Sequence, residues 1–153
     1  MTHDIRYHIM DEFNSFREHN KLQRYWEDVY MSKPASEYAN YLLPDEGYKI
    51  ETDEGLLSGY IQRDFGSEKK FEYIWLRYIF EDDMVKDMEG MLNVADEICS
   101  MLKECDVERA KLVNPEYNTV SIGVAYSQRQ MIVICLLTQN LAGFTAIRTT
   151  DTG

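Results

Sequence analysis

The sequence predicts an α/β fold: a three-layer α/β/α sandwich with a small, mainly antiparallel sheet. Three observations predict it. Helical apolar stripes occupy the first 42 residues and again 82–103. An aromatic, β-branched segment, 71–80, lies between them. Finally, Met131–Leu137 is an uninterrupted apolar run, of strand length, that requires cover on both faces.

Each element follows from local pattern. Ile5, Ile9, Phe13 and Phe16 recur at helical spacing from Asp4 to His19, one stripe on a polar helix. Leu22 and Trp26 follow in a polar connection. A second helix is signalled by Ser32 as N-cap, Pro34 in the first turn and an apolar face of Ala35, Tyr38, Ala39 and Leu42. Its two alanines permit close approach of another element, and Pro44 ends it. Residues 44–70 hold four of the eight glycines and many charges, the composition of a long loop with at most a short turn of helix. Residues 71–80 have the composition of a central strand. From Asp82 to Lys103, Met84, Met88, Met91, Ala95, Ile98 and Leu102 form the stripe of a third helix, with Asp82 and Asp83 at its positive end. Val120–Tyr126 alternates, 127–130 is a polar turn, and 131–137 completes a hairpin. The domain is expected to span 1–141, with 142–153 an extended polar arm.

Composition restricts function. The 153 residues are 44% hydrophobic and 28% charged, enough for a real core. The formal charge of -11 repels phosphate backbones and anionic lipid, so neither nucleic acid nor a membrane surface is the expected partner. The N-terminus has no signal-peptide core, and no stretch reaches transmembrane length. Cys99, Cys105 and Cys135 lack metal spacing and read as reduced, mostly buried thiols of a cytoplasmic protein.

Several residues then resemble a known family. Phe13-Asn14-Ser15-Phe16-Arg17-Glu18-His19-Asn20, with Leu22, Trp26 and Ala35–Leu42, is similar to the opening of the CAP superfamily, with its N-x-x-R helix, L-x-W turn and A-x-x-Y/F-A helix. That superfamily takes in the cysteine-rich secretory proteins, antigen 5 and the plant pathogenesis-related proteins of group one. Arg109–Ala125 resembles its H-R-x-x-L-L-N-P-x-(F/Y)-x-x-V-G-(V/I)-G-(V/I)-A segment, and Thr138-Gln139 its closing T-Q. The resemblance covers most of 9–140 and implies the same three-layer sandwich.

It also implies a shallow site of two histidines and one or two glutamates, a donor set suited to zinc. Here the pattern breaks. Glu108 stands where the family has a histidine, and no histidine occurs in 44–55, where the other belongs. Glu72 is similar to the family's G-E-N-I glutamate. Two carboxylates without imidazole make a hard-cation site at best; the expectation is a remnant, with no metal and no cofactor. The only histidines, His3, His8 and His19, precede residue 20: the first two read as surface groups and His19 as a cap at the first helix's negative end. No nucleophile elbow or phosphate loop is present.

The aromatic load, 11 Tyr, 6 Phe and 2 Trp, marks Tyr25, Trp26, Tyr30 and Tyr41 as an interaction surface or, on the blander view, core and rim. The leading expectation is a non-catalytic intracellular domain that binds other proteins in a larger assembly, for which a cytoskeletal or ciliary complex would suit. The rivals are a metal- or carboxylate-dependent hydrolase using Glu72 and Glu108, and a module for an apolar ligand such as a lipid between the helices.

Overall fold

The computed structural model describes residues 2–43, 53–65, 71–80, 87–127, 129–139 and 146–147. Among them the chain order is α1 (Thr2–His19), β1 (Trp26–Asp28), α2 (Ser32–Leu42), α3 (Glu54–Phe65), β2 (Phe71–Ile79), α4 (Met88–Glu104), α5 (Asp106–Leu112), β3 (Thr119–Tyr126), β4 (Gln130–Thr138) and β5 (Ala146–Ile147). The strands form one sheet in the order β2-β4-β3-β1-β5. All neighbours are antiparallel except β1 and β3, which run parallel with Trp26 opposite Thr119.

The three layers follow from the pleat of β4. Met131, Val133, Cys135 and Leu137 belong to a core with α1 and α4, together with Ile5, Ile9, Phe13, Val94 and Ile98. Ile132, Ile134 and Leu136 point the other way, into a second core with Met31, Ala35, Tyr38 and Leu42 of α2 and its approach and Leu57 and Ile61 of α3. Because successive strand side chains face opposite sides, a strand covered on both must be apolar throughout, as 131–137 is. Each fully buried aliphatic side chain contributes roughly 1.5–3 kcal/mol.

α2 lies close against β3 because neither surface carries bulk. A Cβ on Gly123 would stand 2.5 Å from the Ser36 backbone nitrogen and closer still to the Ala35 carbonyl. The alanines of α2 thus mark the tight helix–sheet contact expected of them.

Several expectations are corrected. The stretch 44–70 is not wholly loop: Glu54–Phe65 is a helix, whose buried apolar pair is Leu57 and Ile61 and whose Gly55 and Gly59 conceal it. The flanking parts of that stretch, including Pro44, lie outside the described residues. Strand 71–79 is at the sheet's edge rather than its centre, and most of it is half-buried. Ser32 is the first helical residue rather than the cap; its hydroxyl donates to Val29 O, and Asp28 Oδ1 accepts from the Tyr30 and Met31 amides ahead of the helix. The helix expected from Asp82 is described from Met88, capped by Asp87, whose carboxylate accepts from Gly90 N at 2.9 Å; 82–86 lie outside the described residues. Trp26 belongs to a short strand, not a connection, and α5 is an additional helix. Of the expected arm, only Ala146 and Ile147 are described, paired with β1.

Candidate functional site

Two residues of the first helix organise one end of the molecule. Arg17 is 3% exposed, and its guanidinium donates to the carbonyls of Gln23 (2.8 Å), Leu112 (2.9 Å), Tyr117 (3.3 Å) and Asn114 (3.4 Å). It also lies 3.9 Å above the Tyr25 ring, and the Tyr25 hydroxyl donates to Leu112 O. Asn14 Oδ1 accepts from Tyr25 N at 2.7 Å. The N-x-x-R spacing therefore puts a carboxamide and a guanidinium one helical turn apart, where together they tie α1 to the segment leading into β1 and to the turn leading into β3. This pattern is structural: it fixes α5 and the 112–118 turn beside the sheet.

α5 in turn presents Glu108 and Lys111, and it packs near β2, which carries Glu72. Lys111 Nζ lies 3.3 Å from Glu72 Oε1 and donates to Tyr73 O at 3.1 Å. The same ammonium is 5.9 Å from the centre of the Tyr73 ring. Glu108 accepts at 2.6 Å from the thiol of Cys105, the residue that caps α5. Each of the two acids singled out by the resemblance thus has a partner from α5 or its cap, and a lysine ammonium lies beside Glu72. Glu72 has no place among the described groups of three or more side chains that could hold a metal.

The histidines are elsewhere. His19 Nδ1 meets Ser15 O at 2.7 Å in the last turn of α1, consistent with its expected place at that helix end. His8, read from the sequence as a plain surface group, lies in the seam between α1 and α4, with Nε2 2.5 Å from Asp96 Oδ1. Glu12, one turn along α1, joins them: one donor atom from each of the three lies within 4.8 Å of the others. Sequence reasoning missed this cluster because its third member comes from a helix 88 residues away. The i, i+4 spacing of His8 and Glu12 was the signal available.

The expected aromatic surface divides. Tyr25 is fully buried in the α1 core, so it is removed from that surface; burial pushes its phenol up to about 12, against the pull of Arg17. Trp26 is half-buried. Tyr41 is 36% exposed and stacks on Tyr38 at 5.9 Å. Tyr30 is 59% exposed beside Val29 at 39%, on the turn that Asp28 holds. Cys99 and Cys135 are buried as expected, whereas Cys105 is exposed. Between β2 and α4 an open groove of about 460 Å³ is lined by Tyr78, Met101, Ser100 and the acids Asp96, Glu97 and Glu104. Among the described residues no helix is long and apolar enough to cross a membrane.

The sheet covered by helices on both faces is the fold of a divergent CAP-like domain. Two solved structures share its fold: a cysteine-rich secretory protein from Staphylococcus aureus subsp. aureus Mu50, and an outer surface protein from Borrelia burgdorferi. The first is 15% identical with a TM-score of 0.57 over 87% of this chain, which spans 38% of that protein. The second is 12% identical with a TM-score of 0.61, covering 92% of this chain and 96% of its own. Comparison with curated protein sequences returns no match. The chain belongs to the CFAP184 CAP-like domain family, whose model matches residues 1–134.

Proposed function

We propose that the chain is a non-catalytic CAP-like domain that binds other proteins as a subunit of an intracellular assembly. The observation that carries this reading is the Lys111 ammonium, 3.3 Å from Glu72. An ammonium there competes with a divalent ion for that carboxylate, and Glu72, unlike Glu12, belongs to no described group of three donors that could outweigh the competition. The hydrolase alternative needs Glu72 free to act as a base or ligand, and the ion pair opposes both roles. The lipid alternative needs an apolar cavity, whereas the groove beside α4 is lined by three carboxylates.

A fold that loses its reactive site works through its surface. Val29 and Tyr30 stand out from a turn that Asp28 Oδ1 holds through two backbone amides, so their presentation costs little ordering on binding. Tyrosine in such a place is the amphipathic anchor that protein interfaces favour. The family's name is a cilia-associated one, which supports a ciliary or cytoskeletal setting.

The test is recovery of the tagged chain from ciliated cells at near-physiological salt, wild type against a Val29→Asp/Tyr30→Arg variant. The reading predicts a defined set of co-purifying proteins that the variant loses while its melting temperature is unchanged. Recovery of the wild type as a bare monomer would overturn it.

A further inference from the structure

We infer that His8, Glu12 and Asp96 form a zinc site that joins α1 to α4. The inference does not rest on the proposed function; Asp96 is shared only as one of the acids that line the groove beside α4. His8 and Glu12 project from one face of α1 at i, i+4, and Asp96 reaches them from the facing helix. The donor set is one imidazole and two carboxylates, a borderline-hard combination that suits Zn²⁺ and leaves the fourth position to water or to a partner's side chain.

The geometry lies within reach of that coordination. Ligands at about 2.1 Å in a tetrahedron stand roughly 3.4 Å apart. The present donor atoms lie within 4.8 Å of one another, and His8 Nε2 and Asp96 Oδ1 are at 2.5 Å. Side-chain rotations that move the donors by about an ångström close the wide pairs and open the short one to that spacing. His8 and Asp96 side chains are 31% and 52% exposed, so the ion has an entry path and the rotations are not blocked by a packed core. The ion takes the Nε2 lone pair of neutral His8, whose proton then sits on Nδ1, and the His8–Asp96 hydrogen bond gives way to two metal–ligand bonds.

One group opposes it. Lys103 Nζ lies 3.4 Å from Glu12 Oε2, and its ammonium competes with the ion for that carboxylate. The competition supplies a gain-of-binding test that a purely structural His8–Asp96 pair would not pass. The ion would bind only the folded chain, because residues 8 and 96 meet only there, so its binding appears as stabilisation.

The experiment is a thermal melt of the full chain, stripped with chelator and titrated with ZnCl₂. At about a hundredfold excess over Kd the melting temperature should rise by roughly 5–10 °C. His8→Gln and Asp96→Asn should abolish the rise, Lys103→Ala should reach it at lower zinc, and His3→Gln, His19→Gln and Glu72→Gln/Glu108→Gln should keep it. Co²⁺ absorption gives a readout that does not depend on stability: a tetrahedral visible spectrum is expected for wild type and not for Asp96→Asn. No rise in wild type, an equal rise in His8→Gln and Asp96→Asn, or no gain in Lys103→Ala overturns the assignment.

Discussion

Replacing Arg17 with methionine keeps most of the apolar stem and removes the guanidinium. Four backbone carbonyls then lose a donor, two of them at 2.8 and 2.9 Å. Leu112 O keeps the Tyr25 hydroxyl, so the loss falls mainly on the others. Charge-assisted hydrogen bonds are worth about 1.5–3 kcal/mol each, and the two longer ones less. The expected cost of Arg17→Met is therefore about 3–5 kcal/mol, read by urea denaturation of the full chain. For a domain of this size that corresponds to roughly 6–20 °C in melting temperature. Arg17→Lys should fall nearly as far, because a single ammonium cannot span carbonyls on two sides of a planar fork. A loss below about 1 kcal/mol for Arg17→Met would refute the clamp as described.

Other positions test other parts of the account. Gly123→Ala drives a methyl into the backbone of α2 and should destabilise by about 3 kcal/mol or more, measured by the same denaturation. Gly59→Ala is the counterpart: a Cβ there meets nothing within 4 Å, and the substitution should stabilise α3 by roughly 0.5–1 kcal/mol. Burial raises the Cys99 thiol from 9.0 to about 12, the Tyr25 phenol from 10.0 to about 12, and Cys135 well above its ordinary value. Their neutral forms are the ones the fold accepts, so this stability is complete below the unfolded-state values. It is lost as pH rises from about 9 towards 12, at about 1.4 kcal/mol per pH unit for each group titrating in the unfolded chain alone. The urea midpoint should fall steadily across that window. At about pH 8 a thiol reagent should label Cys105 alone in the native chain and all three cysteines after denaturation.

Much of the fold is legible because burial writes itself into period. β4 is apolar at every position from 131 to 137 since both layers cover it, and α1 and α4 carry clean stripes since each buries one face. Short elements leave no such mark. β1 has three residues, and α5 buries only Leu112. α3 carries two glycines and buries Leu57 and Ile61. The rich aromatic content of 71–80 suggests a centre, but at this edge Tyr73, Trp75 and Tyr78 are half-buried along their rings. For the site, resemblance supplies Glu72 and Glu108 but not the lysine beside Glu72, since Lys111 reaches β2 only after the chain has folded. Tyr25 reads as surface because its neighbour Trp26 and the polar connection suggest exposure. The guanidinium and carboxamide of the N-x-x-R pair draw it inward instead.

The proposal that this domain acts through its exterior rather than through Glu72 and Glu108 is tested most directly by reinstating the tagged chain in cells that lack it. The quantity to measure is the fraction incorporated into the native assembly. Glu72→Gln/Glu108→Gln should incorporate like wild type, while Val29→Asp/Tyr30→Arg should stay in the unassembled pool although folded. The reverse pattern, loss with the two glutamines and full incorporation of the turn variant, would contradict the account.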